Sequence, residues 1–183
     1  VLAVTSRVVA TEGNQNNELG VPLTILRAGA DTDVLVVEMA MRGEGQIAQL
    51  CDIARPSVGI VTNVGTSHLE LLGTQEAIVR AKGELVDGIP EDGAVFLNCD
   101  DAYSAVLADR ARAQVLYYGL AEECEIRGCD IVLDEESHPS FTLVARDERQ
   151  NVTLAVPGKH NVYNALAACA VGVYLDVRLD SIV

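Results

Sequence analysis

Four short apolar runs punctuate the first two thirds of the chain. TDVLVVEMA from Thr32, SVGIVTNVG from Ser57, GAVFLNCDD from Gly93 and AQVLYYG from Ala113 are continuous rather than alternating. Runs of this form read as strands buried on both faces. Between them lie helix-period stretches, Gln46 to Ala54, Gln75 to Asp87 and Asp101 to Ala111, with Pro56 and the pair Pro90 and Gly93 punctuating helix ends. Strands alternating with helices at this spacing predict an α/β fold, a mostly parallel sheet flanked by helices and joined by right-handed crossovers.

The texture changes after Tyr118. EIRGCDIVLDEE, SFTLVARDE and NVTLAVPG alternate apolar with polar residues and are separated by turn-forming SHPS and DERQN. This predicts a small antiparallel β appendage with one wet face. HNVYNALAACAVGVYL then returns to a helical, Ala-rich pattern. No linker or repeat divides the chain, so one domain is expected, with a parallel core at about 1–118 and 157–183 and antiparallel strands at about 119–156. The opening VLAV reads as the end of a helix, and the chain is expected to be a fragment whose natural start lies upstream.

One residue breaks the pattern. In the helix from Gln75, Ile78, Ala81, Leu85 and Ile89 form the apolar stripe, and Lys82 points into it. Such a lysine can snorkel, with its stem on the core and its ammonium in water, or be buried beside a carboxylate. A third role needs a particular neighbourhood: near a metal site, desolvation and cations favour the neutral amine.

The 183 residues are 49 % hydrophobic, enough for one packed domain, and no apolar run reaches membrane-spanning length. A net charge of −14 excludes a polyanion held on a basic surface, so no nucleic-acid partner is expected. A nucleotide would have to be held by a metal ion, backbone amides or a few placed side chains. The five cysteines are scattered, and Cys124, Cys129 and His138 make only half a zinc site, so reduced thiols in a cytoplasmic protein are the expectation.

Ligands of open parallel sheets bind beyond the carboxyl ends of the strands. There the first run ends in Glu38, the second in Thr62 and Asn63 with His68 beyond, and the third in Asn98, Asp100 and Asp101. Taken singly each has a plain reading: a solvated carboxylate, a turn residue, a helix cap. For Asp100 and Asp101 capping is the preferred one. Glu38 and His68 together suit a divalent cation, with Glu70 placed to orient the imidazole. GNQNNELGVP, from Gly13, supplies amides (Asn16, Asn17) that either shape a loop before a helix or meet a polar substrate. Asn161 and Asn164 lie one turn apart at a helix start, as caps or as carboxamides able to read an adenine edge. No GxxxxGK[ST] loop occurs; Gly158 and Lys159 are followed by His160.

In order along the chain, GNQNNELGVP, EMAMRGEGQI, TNVGTSHLE, AKGEL, LNCDD and GKHNVYNALAA resemble the central domain of the Mur ligases, a P-loop NTPase-like fold. The strings NNELGVP and EMAMRGEGQI resemble most the branch that adds D-alanyl-D-alanine to UDP-N-acetylmuramoyl-tripeptide. The resemblance implies an ATP-dependent, cytoplasmic, monomeric ligase of peptidoglycan synthesis, using two Mg2+ ions and forming an acyl-phosphate. It implies Glu38, His68 and a carbamylated Lys82 as metal ligands, with Lys82 and His68 catalytic. It also implies Asn161, Asn164 and His160 at the adenine, and Asn16, Asn17, Thr62 and Asn63 at the substrate. The family's P-loop and its N- and C-terminal domains have no counterpart in these 183 residues, so the chain alone is expected to be inactive. The alternatives are another amide ligase of the superfamily, such as a folate polyglutamylating enzyme, and a non-catalytic acidic α/β binding module.

Overall fold

The computed structural model describes residues 1–65 and 72–182. Its parallel strands are β1 (Val8–Ala10), β2 (Val34–Val36), β3 (Val58–Val61), β4 (Ala94–Asn98) and β5 (Gln114–Gly119). The helices among them are α1 (Gly20–Leu26), α2 (Gln46–Ala54), α3 (Gln75–Gly88) and α4 (Ser104–Ala108). Then follow β6 (Ile126–Leu133), β7 (Pro139–Ala145), β8 (Glu148–Thr153), α5 (His160–Tyr174) and the short α6 (Leu179–Ile182). VLAV forms a single 3-10 turn, Leu2–Val4.

β1 and β2 pair parallel, and the other six strands form one sheet in chain order. β3, β4, β5 and β6 run parallel, and β6, β7 and β8 antiparallel. The expected appendage is therefore a continuation of the main sheet: Tyr118 and Gly119 pair with Ile126 and Arg127 before β6 turns to its antiparallel partner.

All five residues of β4 are buried, as the apolar run Ala94 to Leu97 requires of a central strand, with the polar Asn98 buried at its end. Because successive side chains alternate faces, Val95 and Leu97 meet Ile78, Val86, Leu50 and Leu107 of the helices on one side. Ala94 and Phe96 meet Val162, Leu166 and Ala170 of α5 on the other. β7 alternates buried and half-buried residues along its whole length, the one-wet-face pattern expected.

Two elements differ from expectation. β1 is three residues long, too short for any periodicity to register. The helix expected from Asp101 begins at Ser104, because the Asp101 side chain accepts the Tyr103 amide (2.9 Å) and its carbonyl accepts that of Ser104 (3.1 Å), closing a turn. Among the described residues no helix is long and apolar enough to cross a membrane.

The reduced-thiol expectation is corrected for one pair. Cys99, just past β4, and Cys124, just before β6, are joined in a disulfide with Cα atoms 6.6 Å apart. They meet because both lie beside the end of β5. Cys51, Cys129 and Cys169 are free, and burial pushes the Cys51 and Cys169 thiols up to about 11. Titration with a disulfide reagent should therefore find one reactive thiol, Cys129, in the native chain, three in denaturant and five after reduction. Five thiols in denaturant without reductant would contradict the pairing.

Candidate functional site

The first part of the site is built on β2. Glu38 stands two residues past that strand; its amide donates to Thr11 Oγ1 (2.9 Å). Asn16 Nδ2 donates to Glu38 Oε1 at 2.9 Å, and the Asn16 carbonyl accepts the Ala40 amide at 2.8 Å. Asn16 thus holds both Glu38 and the backbone two residues beyond it, and Glu38 Oε2 is left without a hydrogen bond among the described residues. Asn17 does something else: its side-chain oxygen accepts the amides of Leu19 and Gly20 (3.1 and 3.0 Å) and starts α1.

The second part is the segment Thr62 to Gly65 that leaves β3. Its backbone is held by side chains. Tyr118 Oη donates to the carbonyls of Val61 and Thr62, both at 3.3 Å, and Asn98 Nδ2 lies 3.4 Å from the latter. Lys82 Nζ donates to the Asn63 carbonyl at 2.6 Å. Asp101 Oδ2 accepts the Val64 amide at 2.6 Å, and Gln75 Nε2 donates to the Gly65 carbonyl at 2.5 Å. The Thr62 and Asn63 side chains are exposed.

The Lys82 stem does run along the apolar stripe, where Ile78, Ala81 and Ile89 are fully buried, and its amine emerges half-buried under Asn63. Burial holds the amine below the usual lysine range, and the charge of Asp101 partly opposes this. α3 is capped by Thr74, whose side chain accepts the Ala77 amide at 3.2 Å.

α3 also sets the helix that follows Glu38. α2 has Gly45 at its N-cap, with φ 85°, and no capping side chain of its own. Glu84, on α3, fills that role by accepting the amides of Gly45 and Ala48 at 2.5 and 3.0 Å. Arg80 adds an ion pair to Glu44 (2.7 Å).

The third part is the start of α5. Asn164 Nδ2 donates to Asn161 Oδ1 (3.0 Å), and Asn161 Nδ2 to the Pro157 carbonyl (2.8 Å). His160 is exposed, its ring against Gly158. Tyr163 lies beside Asp100, and burial first, then the Asp100 charge and hydrogen bond, raises its phenol. Asp100 Oδ2 also accepts the Leu120 amide at 2.6 Å, so the first turn of α5 sits at the carboxyl edge of the sheet.

Glu38 with Asn16, Lys82 with Asn63 and Asn161 with Asn164 are thus paired directly. His68 and Glu70 lie outside the described residues. Among the described residues no three His, Cys, Asp or Glu side chains cluster closely enough to hold a metal ion. Sequence reasoning did not single out Tyr118, Gln75 or Glu84, and gave Asp101 only half its role. Tyr118 sits in an apolar run that hides its hydroxyl, and nothing local signals a cap supplied from another helix.

The Mur ligase middle domain family matches residues 1–172. The chain belongs to the Mur ligase family. This Mur ligase middle domain is 43 % identical over 182 residues to the UDP-N-acetylmuramoyl-tripeptide–D-alanyl-D-alanine ligase of Mycobacterium tuberculosis, covering 100 % of the chain and 36 % of that protein. Its fold matches a crystal structure of MurF from Acinetobacter baumannii with TM-score 0.93 and 31 % identity, over 100 % of this chain and 40 % of that one. MurF from Thermotoga maritima in complex with ADP matches with TM-score 0.84 and 31 % identity, over 99 % and 42 %. The chain therefore spans little more than a third of the length of the relatives it matches.

Replacing Glu84 with Ala removes the one side-chain cap of α2 among the described residues and should cost about 1 kcal/mol of unfolding free energy, read from urea denaturation. An unchanged midpoint would contradict the capping role.

Proposed function

We propose that this chain is the central ATP-binding and catalytic domain of a UDP-N-acetylmuramoyl-tripeptide–D-alanyl-D-alanine ligase. The identity that carries the reading is the 43 % that runs over the whole chain, site segments included. In the proposed reaction the terminal carboxylate of the tripeptide attacks the γ-phosphorus of ATP, and ADP leaves. The amine of D-alanyl-D-alanine then attacks the acyl carbon, phosphate leaves and the amide forms.

The residues fit these roles. Glu38 offers a hard carboxylate oxygen with no hydrogen bond among the described residues, the donor a Mg2+ ion takes. Bound between Glu38, His68 and a carbamylated Lys82, two such ions would neutralise charge on the phosphoryl oxygens. The depressed Lys82 amine is suited to add CO2, losing a proton and becoming an anionic oxygen ligand; one N–H remains for the Asn63 carbonyl. Asn161, oriented by Asn164, would read the adenine edge with His160 beside it. Asn16 would hold Glu38 in place while Asn17, Thr62 and Asn63 face the substrate. The protein would act in the cytoplasm as a monomer on small molecules, without a nucleic-acid or membrane partner.

Full-length protein given ATP, the UDP-linked tripeptide and D-alanyl-D-alanine should release phosphate in step with amide formation. Lys82→Ala should lower that rate by about 100-fold or more, with partial recovery on adding a small carboxylate. Phosphate release supported equally by other amino acids, or an undiminished Lys82→Ala, would contradict the reading.

A further inference from the structure

Between β3 and residue 66 the chain has left the sheet. Polar backbone groups without a ladder need other partners. Here five side chains from three neighbouring elements provide them, and they do not contribute equally. Asn98 is long at 3.4 Å, and the Tyr118 hydroxyl is shared between two carbonyls. The Gln75 contact secures only the far end. Asp101 stands apart: one carboxylate oxygen closes its own turn through Tyr103, and the other reaches across to the Val64 amide at 2.6 Å. A single carboxylate therefore fixes the turn after β4 against the segment after β3.

The consequence falls on Lys82. The peptide unit whose N–H is held by Asp101 is the one whose C=O, that of Asn63, receives Lys82 Nζ. A peptide unit is planar, so holding its N–H sets the direction of its C=O. We propose that Asp101 is a positioning residue for the ligase reaction: by gripping the Val64 amide it aims the Asn63 carbonyl at Lys82 and fixes where the lysine head lies. Tyr118 completes the grip one residue upstream. Asp101 touches neither nucleotide nor substrate in this account, and the inference rests on the ligase reading given above.

The test uses the full-length protein. Asp101→Asn keeps the size of the side chain but has a single acceptor oxygen, so it cannot take the Val64 and Tyr103 amides together. It should lower kcat by about 10- to 100-fold, as small misplacements at a reacting centre do, with KM for ATP and both substrates within about twofold. Amide exchange in a peptide spanning residues 61–65 should quicken while the rest of the domain keeps its protection, and Asp101→Glu should recover part of kcat. Should Asp101→Asn fail to fold, Tyr118→Phe, which removes only the hydroxyl holding Thr62, carries the same expectation in weaker form. Wild-type kcat, unchanged exchange at 61–65, or a loss that follows KM or the unfolding midpoint would overturn the proposal. A wild-type protein with no ligase activity would overturn the reaction itself, and exchange would then still report whether Asp101 holds the segment.

Discussion

The site depends on how one strand ends. β3 stops at Val61, and its chain continues as four residues of bare backbone whose partners are side chains rather than a neighbouring strand. A buried or half-buried peptide group left unpaired costs roughly 1–3 kcal/mol, so these partners are a condition of the segment keeping its shape. Because they come from β4, β5 and α3, the segment can be right only if the sheet register and the helix packing are right. Packing on both faces of β4 thus reaches the candidate site through hydrogen bonds at its carboxyl end.

α3 has a second influence on the same edge. Its Lys82 serves β3 and its Glu84, two residues on, serves the start of α2, which follows the Glu38 segment. The same helix therefore relates the strand end that carries the acid to the strand end that carries the lysine. β2 and β3 belong to separate sheets and share no ladder, so their registration falls to the helices packed above them. The acidic composition fits this economy: few cations are available, and two near the edge, Arg80 and Lys82, are each committed to a stated partner.

Much of this was legible in the sequence, and the reasons differ by element. β4 and α3 announce themselves because a four-residue apolar run ending in Asn98 and a fourteen-residue helix leave clear patterns. The inward Lys82 was visible as a violation of the helical stripe, and violations of a local rule mark functional positions. The continuity of β6 with β5 was not visible, since period-two alternation says that a strand has a wet face but not which strand it joins. Asp100 and Asp101 were read as caps, but α4 has no side-chain cap among the described residues. Asp100 accepts the Leu120 amide, and Asp101 Oδ1 closes the turn before the helix. The other Asp101 oxygen acts across 37 positions of sequence, where no spacing rule reaches. The Cys99–Cys124 pairing is of the same kind, set by which loops meet past β5. Asn17 could be read either as a loop residue before a helix or as a substrate contact, and its oxygen starts α1.

The central claim is that the lysine placed under the end of β3 is the anionic arm of the site rather than a snorkelling surface cation. The most direct measurement is carbon-13 NMR of the full-length protein equilibrated with labelled bicarbonate. The account predicts a carbamate carbon resonance in the wild type that disappears in Lys82→Arg while the fold is retained. No such resonance, or one that persists in Lys82→Arg, would contradict it.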